Sequence, residues 1–391
     1  MIECTTVYTY EIDDPEAALA EIRAQFHEKS IFMENTIGIA ACHPEFISNG
    51  TLKYICDNAE IDIIGITTNA QAVDGQIGEL VLTIFIMTAD DVYFKAGVTE
   101  GLEADAEKAI GAAIEKAADG EGEPPALILA FIPFIIQSSG DTYLKALKKK
   151  LPGVPVFGAR AADDSIDCGN SKTIFNSECS GNAMSFALCY GNINPRFLIG
   201  TFPVGNVMPY KGEITKSDGC VVHEINGVNA HTFFENIGYA QGGVTTDSCI
   251  FVPFSLENKT DEDHDSVPVI RSLATFTDDG AAVFLGNVEE GSTFSLLSSN
   301  ANEVLSASGS IIKEINKMPE INGVLSFSCI IRQMMTMHLS PFIELETMQG
   351  VLRQGIPFLF GYAAGEICPT SYKNGAHVSK YHNFSISILI I

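Results

Sequence analysis

Three side chains in the C-terminal part of the chain could act together in nucleophilic catalysis. Cys329 is a potential thiol nucleophile, His382 a base, and Glu366 a carboxylate that could orient the base. Cys329 stands in the apolar run "SFSCII", however, where burial would raise its pKa and make it inert. The chain has no GxSxG, P-loop, HExxH or GxGxxG pattern. We therefore expect a protein that is not an enzyme, with a cysteine-dependent enzyme using Cys329 as the alternative.

The same region could instead bind a small charged molecule. Arg332 follows Cys329 by three residues, and its guanidinium could hold a carboxylate with two hydrogen bonds or pair with Glu366 or another acid. Glu366 follows Gly365 at the end of an apolar strand, where it could hold an amino group or cap a tight turn. Arg332 and Glu366 together would suit a zwitterion such as an amino acid.

His382 and Asn383 stand just before the last apolar strand. His382 could donate a hydrogen bond, ligate a haem or lie at a strand edge without a ligand. No CxxCH motif for haem attachment is present. We therefore expect no cofactor, with haem as the alternative.

Two further strand ends carry polar residues. Thr67, Thr68 and Asn69 close the strand "IDIIGITT", where hydroxyl and N–H groups could bind an anion or cap the next turn. Arg160 and Asp163 lie in "GARAADD", where they could contact a ligand or neutralise each other. In "MMTMHL" (334–339), methionines near Cys329 and His338 could bind copper, but core packing is the favoured interpretation. We expect no metal.

The elements that position these residues alternate between buried strands and amphipathic helices. We predict a helix that starts at Asp14-Pro15 within the first 30 residues and further helices near 46–58, 139–150, 301–316 and 338–350. A hairpin of "ELVLTIFIM" with "VYFKAGV" is predicted around Asp90-Asp91. A second pair of strands, "VPVIRSLATF" and "AAVFLGN", is predicted around Asp278-Asp279-Gly280. The acidic stretch at 256–266 is predicted to be an exposed, mobile excursion, and 240–248 a loop.

Two stretches resemble each other. "GVPVFGARAADD" (153–164) aligns with "GIPFLFGYAAGE" (355–366), and each follows a strand and a helix. We infer an internal duplication. The predicted fold is α/β (mixed α+β) with two similar halves, each a mixed β-sheet covered by helices.

Composition limits the kind of partner. The 391 residues carry 49 acidic and 23 basic side chains, a net charge of −26, which repels nucleic acid and anionic lipid. No apolar run is long enough for membrane insertion, and no signal peptide is visible at the N-terminus. The chain is therefore expected to be cytoplasmic, with no nucleic-acid partner.

The ordered set of motifs resembles the FIST family of sensory domains. In the N-terminal part the resemblance rests on "GITTNAQ" (65–71) and "FGARAADD" (157–164). In the C-terminal part it rests on "EINGVNAHTFFENIG", "SCIIR", "FGYAAGEI" (360–367) and "YHNFS". The resemblance implies a lead-in of residues 1–34, a FIST N-terminal domain of residues 35–222 and a FIST C-terminal domain of residues 223–391.

The resemblance also implies a function. Family members are input modules joined to kinases, cyclases or chemotaxis transducers, and an output domain is not expected here because the repeated unit reaches the last residue. A separate signalling partner and a small-molecule ligand, such as an amino acid, are therefore expected. Tyr362 joins the ligand-binding candidates through its motif. Haem-based nitric oxide sensing, with His382 as the haem ligand, is the alternative that the family allows.

Overall fold

A computed structural model describes most of the chain. The described residues are 2–29, 33–135, 138–165, 167–201, 207–239, 252–257, 269–371 and 377–391. The loop expected at 240–248 and nearly all of the acidic excursion expected at 256–266 lie outside them. Strands and helices are numbered in chain order. The described residues show the mixed α/β architecture that the sequence predicts.

The first sheet lies in the N-terminal part of the chain. Its order is β1-β6-β2-β3-β10-β11, and only β2 and β3 are parallel neighbours. Its strands are β1 (Ile2–Thr9), β2 (Asn35–Cys42), β3 (Asp62–Thr67), β6 (Leu82–Ala89), β10 (Thr173–Phe175) and β11 (Glu178–Ser180). Its outer face is covered by α1 (Pro15–Lys29), α2 (Glu45–Ser48) and α3 (Thr51–Asp57). The single helix predicted over 46–58 is wrong, because Gly50 takes a left-handed conformation and separates α2 from α3.

The second sheet has the order β7-β12-β8-β9-β23-β24. Its strands are β7 (Val92–Val98), β8 (Leu127–Ile132), β9 (Val156–Arg160), β12 (Ser185–Gly191), β23 (Glu366–Ser371) and β24 (His377–His382). Its helices are α4 (Leu102–Ala117) and α5 (Gly140–Lys150), which cover the outer face. The predicted hairpin around Asp90-Asp91 is wrong: β6 and β7 join different sheets, because each finds its partners far away in the sequence.

The third sheet has the order β13-β25-β21-β22-β4-β5. Its strands are β4 (Gln71–Val73), β5 (Gln76–Gly78), β13 (Arg196–Gly200), β21 (Val324–Cys329), β22 (Phe358–Ala363) and β25 (Ile386–Ile390). Its helices are α7 (Ala301–Asn316), α8 (Ile330–Thr336) and α9 (Ile343–Val351). The helix predicted over 338–350 begins later than expected, and α8 precedes it directly after β21.

The three sheets repeat one arrangement and exchange strands in a cycle. Each has a central parallel pair, namely β2–β3, β8–β9 or β21–β22, with antiparallel strands on both sides. The hairpin β4–β5, which follows β3, pairs with β22 of the third sheet. The hairpin β10–β11, which follows β9, pairs with β3 of the first sheet. The hairpin β23–β24, which follows β22, pairs with β9 of the second sheet. Each sheet is therefore completed by a hairpin from another sheet, which locks the three together.

A shared apolar core fills the space between the sheets. Phe131 and Phe157 of the second sheet pack on Phe327 of the third, with ring centroids 5.8 and 6.4 Å apart. Ile39 and Phe85 of the first sheet belong to the same cluster. The sheets thus form one three-sided unit, called the three-sheet body below, with its helices outside.

A small antiparallel barrel is inserted in the chain between β13 and α7, which both belong to the third sheet and its helices. Its strands are β14 (Val207–Asp218), β15 (Val221–Ile225), β16 (Val228–Asn229), β17 (Pro253–Glu257), β18 (Val269–Phe276), β19 (Ala282–Phe284) and β20 (Thr293–Leu297). The order β14-β20-β17-β18-β19-β15 closes through a further β14–β15 pairing. Phe234 of α6 (Ala230–Asn236) fills the barrel together with Phe254 and Phe294. The predicted pairing of the strands around Asp278-Asp279-Gly280 is confirmed as β18–β19.

Candidate functional site

The turns after β3, β9 and β22 meet at one end of the three-sheet body. The backbone N–H of Ala162 donates to the carbonyl of Thr67 at 3.0 Å, and that of Ala364 donates to Arg160 at 3.0 Å. Within the second sheet, Gly158 lets β9 lie close to β8, because a Cβ on it would lie 1.8 Å from the carbonyl oxygen of Ala130. The sequence similarity between "GARAADD" and "GYAAGE" thus corresponds to two turns that contact each other directly.

A cavity of about 550 Å³ lies between these turns and the barrel. The three-sheet body contributes residues from the strand ends, from the segment after β8 and from α8. The barrel contributes Cys220, Thr275 and Phe284 among others. This volume falls in the range of small-molecule sites, and sites between structural units are a common position for them. Of the residues predicted as a ligand site, Asn69, Arg160 and Cys329 line the cavity.

Arg160 places a buried cation in the cavity wall. Its side chain is 2 % exposed, and it donates to the carbonyl oxygens of Pro133, Ile135 and Ser138 at 3.3, 2.6 and 2.8 Å. Its guanidinium carbon lies 4.1 Å from the ring centroid of Phe134. No acid of the described residues lies within salt-bridge distance of this guanidinium, and the predicted neutralisation by Asp163 is not formed. Arg160 therefore carries its charge into the site.

Polar groups flank this cation. Asn69 donates to the side-chain oxygen of Gln333 at 2.6 Å, which links the turn after β3 to α8 across the cavity. The exposed carboxylates of Glu79, Asp164 and Asp167 also contribute to the lining. The site thus combines a buried positive group with negative groups near solvent.

The remaining wall is largely apolar. Phe134, Ile330, Met334 and Leu285 line it, as does Met337, which is 56 % exposed. We expected Met334 and Met337 to fill a core, whereas the structure places both on the cavity. Such a wall favours the apolar part of a ligand.

Three thiols, Cys168, Cys220 and Cys329, also line the cavity. Burial raises the pKa of Cys168 to about 12 and raises the pKa of Cys220. Burial, reinforced by the Glu366 carboxyl, holds the pKa of Cys329 well above its usual value. Within the described residues no group of histidine, cysteine and acid side chains could hold a metal ion. The thiols therefore contribute apolar surface at neutral pH.

Arg332 lies outside the cavity lining, in a buried network. Its Nη2 is 2.8 Å from Oε1 of Glu344, and both side chains have no exposed surface. The same guanidinium donates to the hydroxyls of Ser308 and Ser328 at 2.8 and 3.1 Å. The structure thus shows the pairing alternative for Arg332, with Glu344 rather than Glu366 as the acid. This network joins α7, α8 and α9.

Tyr362 lies beside this network. Its side chain is fully buried and outside the cavity lining. Burial raises its pKa well above the usual value, and the neighbouring Glu344 adds to that shift. The tyrosine of the "FGYAAGEI" motif therefore packs behind the site.

Glu366, His382 and Asn383 are fully buried and also lie outside the cavity lining. Glu366 accepts a hydrogen bond from Ser385 at 2.6 Å, while neither ring nitrogen of His382 has a partner among the described residues. The histidine therefore bonds to neither Cys329 nor Glu366, and the catalytic arrangement of the three is not formed. Nor do the residues fit a haem ligated by His382, because this imidazole does not reach the cavity.

Thr67, Thr68 and Asp163 make local hydrogen bonds. The hydroxyl of Thr67 accepts from the backbone N–H of Lys172 at 2.9 Å, and that of Thr68 donates to Gln71. Asp163 accepts from the backbone N–H groups of Ser165 and Asn170 at 2.7 and 2.6 Å. The contacts of Thr67 and Thr68 correspond to the capping alternative, and those of Asp163 hold the turn after β9.

Sequence reasoning missed Phe134, Gln333 and the barrel residues of the cavity. Pro133 offered a signal for Phe134, because proline has no backbone N–H for a strand ladder, and β8 ends just before it. Gln333 and Phe284 had no comparable signal, since their contacts depend on how α8 and the barrel are placed.

The fold and the site together define a mixed α/β protein with a ligand-sized cavity between a three-sheet body and a barrel. The chain belongs to the FIST family: the model for the FIST N domain matches residues 36–228, and that for the FIST C domain matches residues 239–369. FIST domains are sensory domains of signal-transduction proteins. Among curated proteins, no significant match was found. No helix within the described ranges is both long and apolar enough to cross a bilayer.

Proposed function

We propose that this protein is a cytoplasmic sensor that binds a small carboxylate, such as an amino acid, in the cavity beside Arg160 and acts on a separate signalling protein. The observation that carries the proposal is the buried Arg160 guanidinium in the cavity wall, whose hydrogen-bond acceptors are neutral carbonyl oxygens. The ligand's carboxylate would supply the counter-charge.

The charge of Arg160 favours an anionic ligand at this position. A buried cation is costly unless it is paired and hydrogen-bonded. Carbonyl oxygens accept hydrogen bonds from the Arg160 guanidinium but bring no negative charge, and the Tyr381 hydroxyl, which also interacts with this guanidinium, brings none either. A carboxylate accepts well from such a planar group. An anionic ligand therefore fits this position better than a cationic one.

The rest of the wall favours an amino acid with an apolar side chain. An ammonium group placed toward the opening would meet Asp164 and Asp167, while Phe134, Ile330 and Met334 would contact the side chain. We therefore propose that the zwitterion binds at Arg160 rather than at Arg332 and Glu366. Glu366, His382 and Asn383 would then not contact the ligand. They would support the turns that form the cavity wall.

Ligand binding between two structural units offers a route to a signal. The barrel supplies Thr275 and Phe284 to the wall, and the three-sheet body supplies Arg160. A ligand that contacts both favours the arrangement in which both contacts are made. The surface offered to a kinase or transducer would change with the barrel's position.

The test is a thermal-shift screen with L-leucine, L-methionine and L-phenylalanine, each compared with its decarboxylated amine. We expect the amino acids to raise the melting temperature and the amines to have no effect. Arg160→Gln should abolish the shift, and the exposed Arg353→Gln is the matched control that should keep it. Circular dichroism verifies that the Arg160 variant is folded. Failure of every carboxylate to stabilise the wild-type protein, or an equal shift in the Arg160 variant, would overturn the proposal.

A further inference from the structure

Unpartnered polar atoms are concentrated in one buried cluster of three residues, Glu366, His382 and Asn383. Among the described residues, twelve buried side-chain nitrogen and oxygen atoms lack a hydrogen-bond partner, and five of them belong to this cluster. They are Oε1 of Glu366, both ring nitrogens of His382 and both amide atoms of Asn383. Folded proteins leave few such atoms unsatisfied, because each one costs free energy. Five together indicate a binding partner.

The backbone places the three residues next to one another, by strand register and by sequence. Glu366 and His382 are directly opposite each other on the antiparallel strands β23 and β24, so their side chains share one face of the sheet. Asn383 follows His382, and Phe384 then takes a left-handed conformation with φ of 57°. A bulky residue seldom adopts this conformation, so the turn is held there by its surroundings.

Neighbouring contacts close the cluster off from solvent. Ser385 donates to Oε2 of Glu366 at 2.6 Å, and its carbonyl accepts from the backbone N–H of Cys329 at 2.9 Å. Cys329 and Ala364 line the ligand cavity, whereas the cluster residues do not. The cluster therefore lies behind the cavity wall and is separate from the site at Arg160.

The chemistry of the cluster favours a neutral partner. Burial raises the pKa of Glu366 well above its usual value and lowers that of His382 well below it, so burial favours the uncharged form of both side chains. A protonated carboxyl, a neutral imidazole and an amide present both donors and acceptors. Water matches such a set, because one molecule both donates and accepts.

We propose that ordered water molecules bind to Glu366, His382 and Asn383 and form a constant part of the fold. Since a buried water makes about three hydrogen bonds, roughly two molecules would satisfy the five atoms. The cluster would be a hydration site that supports the wall of the ligand cavity from behind. This proposal does not depend on the identity of the ligand or on its binding.

A crystal structure of the full chain at a resolution that shows water provides the direct test. We expect water oxygens within hydrogen-bond distance, about 2.7–3.2 Å, of His382 and Asn383. Side chains that rotate to protein partners around a dry space would overturn the proposal. So would anomalous scattering or short coordination distances from a metal ion in the same position.

A pair of variants gives an independent readout. Asn383→Leu keeps the approximate size and removes both amide atoms, so it should lower the melting temperature by about 2 °C or more if water bridges depend on them. Glu366→Gln keeps a neutral donor and acceptor and serves as the matched control, with a melting temperature at pH 5 close to that of the wild type. An unchanged or raised melting temperature in Asn383→Leu would argue against bound water, because removing unpartnered polar atoms from a dry site is neutral or stabilising.

Discussion

Arg271 of β18 in the barrel forms an ion pair with Asp141 in the first turn of α5, with Nη2 2.9 Å from Oδ2. The same carboxylate oxygen accepts from the backbone N–H of Asn287 at 2.8 Å. Arg271 also donates to the carbonyl oxygen of Tyr381 at 2.9 Å. The barrel is thus held to the three-sheet body by a nearly buried charged contact near the cavity that the two units share.

Loss of this contact should loosen the barrel. We expect Arg271→Gln to destabilise the protein by about 2 kcal/mol, because Asp141 would keep a partly buried charge without its cation. Hydrogen exchange should accelerate in β14–β20, and the core strands β8 and β21 should change little. The exposed pair of Lys53 with Asp57 provides the control, since Lys53→Gln should change stability by less than about 0.5 kcal/mol. Equal protection of the barrel in Arg271→Gln and the wild type would contradict this role.

The buried pair of Arg332 and Glu344 makes a stronger prediction. Glu344→Gln should reduce the free energy of unfolding by roughly 3 to 5 kcal/mol, because the fully buried guanidinium would lose its counter-charge. Calorimetry on the purified variant measures the loss. If Arg332 instead held the ligand's carboxylate, Glu344→Gln would leave apo stability nearly unchanged and alter binding alone.

The stability difference between wild type and Glu366→Gln should depend on pH. Burial raises the folded-state pKa of Glu366 above the unfolded value of about 4.3. The folded protein therefore keeps a proton that the unfolded chain releases, and this residue loses stabilising effect as pH rises from about 4 toward the folded-state pKa. Glutamine cannot lose that proton.

Melting curves at pH 4, 5.5 and 7 measure this effect. The Gln variant should gain stability relative to the wild type as pH rises. The difference in melting temperature, variant minus wild type, should be smallest at pH 4. If this difference in melting temperature decreases with rising pH instead, Glu366 is ionised in the folded protein.

Cys329 should resist alkylation in the folded protein. It is 1 % exposed, and burial together with the Glu366 carboxyl keeps its pKa far above neutral, so little thiolate is present at pH 7.5. Peptide mass spectrometry after iodoacetamide treatment should find Cys179, which is only partly buried and has a pKa raised to about 11, labelled sooner. Guanidinium-unfolded protein, in which both react, is the control. Rapid labelling of Cys329 would contradict this prediction and would support a cysteine-dependent enzyme that uses Cys329.

Local sequence patterns predicted much of the fold. The helix over 301–316 depends on nearby residues, and the structure has it. The hairpin around Asp90-Asp91 was wrong because alternation of apolar residues shows that a segment is a strand but not which strand it joins. The small-residue turns were recognised from sequence because close contacts, such as that of Gly365 with Tyr381, leave no room for a larger side chain.

The candidate site was only partly predictable. Arg160, Asn69 and Cys329 were selected from strand ends, and they line the cavity. Arg332 was also selected, but the acid that pairs with it, Glu344, lies on α9 and carried no sequence signal. The acid that pairs with a buried arginine is determined by the tertiary structure and not by the residues near it in sequence.

The amino-acid sequence by itself determined the mixed α/β class, the FIST family and the acidic surface, because these depend on composition, local periodicity and ordered motifs. Only the tertiary structure decided that three sheets exchange hairpins in a cycle, that the barrel faces the strand ends, and that Arg160 rather than Arg332 reaches the cavity. The physical reason is that strand pairing and charge pairing are made between residues far apart in sequence. Neither kind of partner leaves a local pattern in the chain.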